Sequence, residues 1–171
     1  MGKRNWLASV VLVLGAASVA LATEATGLLD GDFGTDGVVT GERLWGPLTD
    51  ITVDDLDRTL TCGQSQGSIF VQRFTDSGDW DTFFGTDGVV EFPGVMLDTA
   101  VGPADGLSVV VAPDGKIYVG GRRSWLEGKG RKQRFQSSGA VWCLDTDGRL
   151  LWAYDTGEVH AVVDLCVVPV G

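Results

Sequence analysis

The sequence predicts an all-β protein built from repeated four-stranded antiparallel units. The segment FGTDGVV occurs twice without change, at residues 33–39 and 84–90, which indicates a repeated structural unit. Six Asp-Gly pairs are spread along the chain, and this pair is the one most typical of tight β-hairpins. Glycine accounts for 25 of 171 residues without a three-residue period, so the sequence favours many turns between short strands.

Residues 1–22 are predicted to be a signal peptide. Lys3 and Arg4 precede an apolar run that ends in the small residues Ala20-Leu21-Ala22, which is the pattern of a cleaved export signal. The run is shorter than the roughly 20 residues that span a bilayer, and an uncleaved anchor is the alternative. We therefore expect a secreted chain in the extracellular space, at the cell surface or in the periplasm, without stable membrane insertion after cleavage.

The charge of the chain argues against nucleic acid as a partner. The formal net charge is −10, and removal of Lys3 and Arg4 leaves 11 basic against 23 acidic residues. A field of this sign repels nucleic acid and anionic lipid and keeps an exported protein soluble.

The repeated units of the mature chain, residues 23–171, follow one another in order. Residues 27–44 contain the first heptad and are predicted to be a partial unit, and residues 50–92 form a unit that ends in the second heptad. Residues 106–157 form a unit with a basic insertion at 122–138, and residues 163–171 begin a truncated unit. Four strands and three turns per unit are typical of a β-propeller blade, so we expect about two to three blades of an incomplete propeller.

Two segments carry a resemblance to known repeats. RFTDSGDWDTFFGTDGVVEF followed by GLSVVVAPDGKIYVGG resembles the delta-60 repeat, a propeller-type repeat, over most of residues 27–121. The chain departs from that pattern at Asp57-Arg58, where the repeat has Asp-Gly. VWCLDTDGRLLWAYDTG is also similar to the repeats of quinoprotein propellers, which use pyrroloquinoline quinone.

These patterns predict a secreted, non-catalytic propeller-type repeat protein that recognises an extracellular protein or glycan. The alternative is part of a quinoprotein-like dehydrogenase, and a third hypothesis is a degenerate remnant without function. Because a last strand without a partner is unusual, the sequence favours a truncated N-terminal fragment. Self-association through open blade edges is the competing explanation.

The insertion is the candidate anion-binding loop. It holds six of the 13 basic residues of an acidic chain, which would suit an anionic polysaccharide, a phosphate-bearing surface or the chain's own acidic face as its partner. The simpler interpretation is a long solvated hairpin loop, which the sequence favours. The six residues are Arg122, Arg123, Lys129, Arg131, Lys132 and Arg134.

Other candidate sites have simpler structural interpretations. The Asp-rich segments 76–81 and 145–148 suggest calcium, but they lack the full spacing of a calcium loop and coincide with expected turns, so no cofactor is predicted. The aromatic residues suit a glycan platform or, more simply, blade packing. They are Trp80, Phe83, Phe84, Trp142, Trp152 and Tyr154.

Cysteine and histidine offer little basis for a catalytic or metal site. Cys62, Cys143 and Cys166 lack the spacing of a metal site, and a single His160 excludes designs with two imidazoles. We expect buried thiols, with one disulfide and a free thiol as the alternative.

Overall fold

The chain folds into two four-stranded sheets. The computed structural model describes residues 29–40, 46–65, 67–93, 101–128, 132, 134–157 and 161–168. The first sheet has the order β1-β2-β3-β4, the second has the order β5-β6-β7-β8, and all neighbouring strands are antiparallel. The strands are β1 (Leu48–Val53), β2 (Thr59–Ser65), β3 (Ser68–Phe74), β4 (Val89–Pro93), β5 (Val101–Val111), β6 (Ile117–Glu127), β7 (Arg134–Leu144) and β8 (Leu150–Asp155).

This architecture confirms the prediction of an all-β fold with four-stranded antiparallel units, and it is consistent with two propeller-like blades. Within the described ranges the two sheets do not close into a ring. The same ranges contain no helix that is long and apolar enough to cross a membrane. The proposed signal peptide lies outside the described residues.

The core lies between the two sheets because side chains alternate across each strand. The first sheet presents Leu60, Cys62, Ile69 and Val71 to its neighbour, and each is fully buried. Burying a side chain of this kind contributes about 1.5–3 kcal/mol, so this layer joins the two sheets strongly. The second sheet contributes Val109, Ile117, Val119, Ala140, Trp142 and Leu144.

Four turns between adjacent strands share one backbone geometry. In each of them the amide of the fourth residue donates to the carbonyl of the first, and the amide of the first donates to the carbonyl of the fifth. The fourth residue always has positive φ, which is easy for glycine. The turns comprise residues 54–58, 75–79, 112–116 and 145–149.

The first of these turns keeps the geometry without glycine. Asp57 holds φ at 59° where the other turns have glycine at 80° to 86°. A left-handed conformation costs an L-residue about 1–2 kcal/mol. The Asp54 carboxylate supports the turn by accepting hydrogen bonds from the amides of Leu56 at 2.9 Å and Arg58 at 3.0 Å. The turn geometry thus aligns Asp57, and not Arg58, with the glycine of the other turns, and the turn forms without glycine.

Candidate functional site

Both copies of FGTDGVV form a two-residue hairpin. In the second heptad, residues 84–90, the amides and carbonyls of Thr86 and Val89 exchange hydrogen bonds of 2.8 and 3.1 Å. Between them Asp87 has φ 51° and Gly88 has φ 91°, as a type I′ turn requires. The first heptad, residues 33–39, repeats these bonds and has φ 52° and 86° at its Asp-Gly pair. The prediction of tight turns with positive φ at these glycines is confirmed.

Each heptad is also the joint between one unit and the next. The amide of Gly34 donates to the carbonyl of Ser77 at 2.7 Å, and the amide of Gly85 donates to the carbonyl of Asp147 at 2.9 Å. Ser77 and Asp147 hold the same position in their turns, directly before the glycine. The repetition of seven residues therefore has a structural cause: each copy contacts the equivalent turn of the sheet that follows it.

The contact is close enough to require glycine in the receiving turn. A Cβ atom on Gly148 would lie 2.4 Å from a Val90 methyl and 2.8 Å from the Phe84 ring. A Cβ atom on Gly78 would lie 2.6 Å from the Gly34 amide nitrogen. These glycines thus serve both the turn geometry and the approach of the heptad.

A buried arginine strengthens the second joint. Arg73 is 2% exposed, its Nε donates to the Asp81 carboxylate at 2.8 Å, and its guanidinium lies 4.3 Å from the centroid of the Phe84 ring. It also donates to the carbonyl of Thr146 in the second sheet. Burial lowers the pKa of Arg73, and Arg58 acts in the same direction, whereas Asp81 opposes the shift. The ion pair and the backbone bond hold this charge in a buried site that links the two sheets.

The Asp-rich segments serve as turns. The Asp145 carboxylate accepts bonds from the amides of Asp147 at 3.0 Å and Arg149 at 2.7 Å. In the other segment the Asp79 carboxylate accepts a bond from the Ser77 hydroxyl at 3.2 Å. No group of three or more His, Cys, Asp or Glu side chains that could hold a metal ion occurs in the described part of the chain.

Much of the basic insertion is strand, so the expectation of a loop is wrong for those residues. Residues 122–127 belong to β6 and residues 134–138 to β7, paired in continuous register. The reason is that the hydrogen bonds of a ladder join backbone groups, so the pairing of β6 and β7 continues through residues with charged side chains. Lys129 and Arg131 lie outside the described residues.

The basic side chains of this hairpin have different environments. Arg123 pairs with Asp155 and lies 5.1 Å from the centroid of the Trp125 ring, so it is held within the sheet. Arg122, Lys132 and Arg134 are exposed. Anion binding by this segment stays a prediction that applies to the exposed members.

The aromatic residues divide between core and surface. Phe84 and Trp142 are buried, and Trp80 packs against Phe74 with ring centroids 4.8 Å apart. Phe83, next to Phe84 in the chain, is 89% exposed. Trp152 and Tyr154 on β8 are 45% and 62% exposed, so core packing does not account for them.

Trp152 and Tyr154 belong to one face of the second sheet, which we call the outer face. The ladder register places Val110, Tyr118, Cys143 and Trp152 side by side across the four strands, and the rings of Tyr118 and Trp152 lie 6.0 Å apart. The next row runs from Ser108 through Gly120 and Val141 to Tyr154. The opposite face of the same strands packs on the first sheet.

A pocket of about 570 Å³ opens at this face, and we call it the outer-face pocket. Val110, Ala112, Pro113 and Tyr118 line it from the sheet, and residues 165–168 line it from the other side. The Asp114 carboxylate also lines the pocket and pairs with Lys116. Its volume and its apolar lining with few polar groups are typical of a binding site. Sequence reasoning missed Tyr118 and Leu165, because only the packing of residues 161–168 on the outer face brings them to one place.

The three cysteines differ in exposure, and none forms a disulfide. Burial raises the pKa of the Cys62 thiol to about 11, and burial also raises the pKa of Cys143. Cys166 is exposed beside the outer-face pocket. Two thiols are thus protected, and the third is accessible to reagents.

No family model matches this chain, and no curated protein or solved structure matches it significantly. The resemblance to delta-60 and quinoprotein repeats therefore stays a prediction. The dehydrogenase alternative is tested by adding pyrroloquinoline quinone and calcium to the full chain and assaying dye-linked alcohol oxidation.

Proposed function

We propose that the protein is a secreted, non-catalytic repeat scaffold that recognises an extracellular protein or glycan at the outer face of its second sheet. The observation that carries this proposal is the half-exposed Trp152, whose ring packs at a tilt against Tyr118 beside an apolar pocket. A soluble protein exposes such a combination of aromatic surface and concave apolar lining mainly at interaction sites.

The residues that join the units are different from those that are exposed on the outer face, which supports the same proposal. The repeated heptads and their receiving turns join one unit to the next, through Gly34, Gly85 and the buried Arg73. The face of the first sheet that corresponds to the outer face is buried against the second sheet. On the second sheet the outer face leaves Trp152 and Tyr154 exposed. The acidic charge of the chain opposes nucleic acid as the partner.

The proposal is tested by screening the full chain against an array of neutral and acidic glycans and a panel of extracellular proteins. Any ligand found is then measured with Trp152→Ala and with the control Phe83→Ala, which removes a more exposed aromatic side chain from another part of the surface. We expect Trp152→Ala to lower the affinity at least tenfold, because aromatic residues beside pockets dominate binding energy, and Phe83→Ala to leave it unchanged. Equal affinities in the two variants, or no ligand in the screen, would contradict the proposal.

A further inference from the structure

Residues 161–168 lie along the outer face without joining a ladder. The amide of Val162 donates to the carbonyl of Gly121 at 2.9 Å, and the amide of Leu165 donates to the Ser108 hydroxyl at 3.2 Å. The backbone groups of residues 166–168 have no hydrogen-bond partner among the described residues. Val163 and Val168 are 72% and 75% exposed. The segment therefore offers a free edge and an apolar surface together.

The segment is placed on the second sheet as β5 is placed on the first. The amide of Val109 in β5 donates to the Asp50 carboxylate at 2.8 Å, and the amide of Leu165 makes the corresponding bond to Ser108. Asp50 lies opposite Cys62 in the first sheet, and Ser108 lies opposite Gly120 in the second, which are equivalent ladder positions. Leu165 therefore corresponds to Val109, and Cys166 corresponds to Val110.

The position of β6 shows what would cover the free edge. β5 carries β6 as its antiparallel neighbour, with Val110 opposite Tyr118. No strand occupies that place beside residues 161–168 in the described chain, and the outer-face pocket opens beside the segment. A bare row of backbone groups beside an apolar pocket suits strand addition, in which the partner's main chain supplies hydrogen bonds and its side chains fill the pocket.

We propose that residues 161–168 accept an antiparallel strand of a partner polypeptide, and that apolar side chains of this strand enter the outer-face pocket. The partner strand has the character of β6: apolar residues at alternate positions after a Pro-Asp-Gly turn. This inference rests on the proposed function, because it names the partner of the same face. It also fixes a register: the residue of the partner that corresponds to Tyr118 lies opposite Cys166.

The exposed thiol of Cys166 makes the register measurable. The probe is a synthetic peptide with the sequence of residues 113–121, PDGKIYVGG, carrying Tyr118→Cys with its thiol activated as a 2-pyridyl disulfide. The Cys166 thiolate attacks the peptide sulfur, a new disulfide forms, and 2-thiopyridone leaves and is followed by its absorbance. The matched control peptide carries Ile117→Cys, whose side chain points to the opposite face of the same strand.

We expect the Tyr118→Cys peptide to react with the native full chain at least tenfold faster than the Ile117→Cys peptide, and both to react equally in urea. The unmodified peptide should compete, a scrambled peptide should not, and Cys166→Ser should remove the reaction. Equal rates in the native protein, or no reaction of either peptide, would overturn strand addition. In that event a continued loss of ligand affinity in Trp152→Ala would leave the proposed function standing, whereas its absence would remove both.

Discussion

Replacing Gly148 with alanine tests whether the heptad joins the two sheets. The new methyl group meets two obstacles: φ at this residue is +86°, and the Cβ atom would lie 2.4 Å from Val90 and 2.8 Å from the Phe84 ring. The left-handed backbone costs an alanine about 1–2 kcal/mol. Forcing a methyl group into packed surroundings adds about 1–3 kcal/mol. We therefore expect Gly148→Ala to lower the free energy of unfolding by about 2–5 kcal/mol.

Gly157 provides the matched control. Its φ is +75°, but a Cβ atom there would meet nothing within 4 Å, so Gly157→Ala measures the backbone cost alone. The difference between the two variants isolates the contact with the heptad. Gly78→Ala should show the same excess, because its Cβ atom would lie 2.6 Å from the Gly34 amide nitrogen in the first joint.

The assay is urea unfolding of the full chain and its variants, followed by tryptophan fluorescence. With a slope of about 2 kcal/mol per molar urea, an excess of 1 kcal/mol separates the midpoints of Gly148→Ala and Gly157→Ala by about 0.5 M. Equal midpoints would refute the reasoning, because they would mean that the heptad does not press against the turn.

Three further predictions concern individual side chains. Phe84→Ala should cost about 3–5 kcal/mol in urea unfolding because the ring is fully buried, whereas Phe83→Ala should stay within about 0.5 kcal/mol because its side chain is 89% exposed; similar values would contradict the assignment. Asp57→Gly should raise the free energy of unfolding by up to about 1 kcal/mol by relieving positive φ, and a loss of stability would show that the aspartate side chain matters more than the strain. Burial raises the pKa of Cys62 from 9.0 to about 11. The thiol ionises in the unfolded chain from about pH 9 but stays neutral in the folded protein up to about pH 11, so the stabilisation by the buried neutral thiol is complete below pH 9 and is lost as the pH rises towards 11. Between pH 8 and pH 11 the free energy of unfolding of the wild type should therefore fall by about 2–3 kcal/mol more than that of Cys62→Ala. Parallel pH dependences of the two proteins would argue against this burial.

The sequence predicted the parts of the fold that depend on neighbouring residues. The hairpin at Asp87-Gly88 follows from two residues that tolerate positive φ, and the frequent turn residues predicted short antiparallel strands between the turns. It did not predict the strand character of residues 122–127, because an exposed hairpin extension carries charges that resemble those of a loop. The environments of Phe83 and Phe84 also differ in a way that composition does not show.

The candidate site was harder to predict because its contacts are distant in the chain. Residues 165–168 line the outer-face pocket together with Val110 and Tyr118, which are more than forty residues away. The two heptads likewise contact turns that follow them in the next sheet, at Ser77 and Asp147. Such pairs depend on how one sheet packs on another, and no local pattern of hydrophobicity or turn residues determines that packing.

The identity of the two heptads has a consequence for how such a chain changes length. The two copies contact equivalent turns of successive sheets. A deletion of residues 34–84 would place Phe33 directly before Gly85 and recreate the same seven residues. The shortened protein would keep one sheet, still held by a heptad at its Asp147 turn, and a duplication of the same stretch would add a sheet with its joint already in place. A change in the number of units at this heptad therefore creates no new interface.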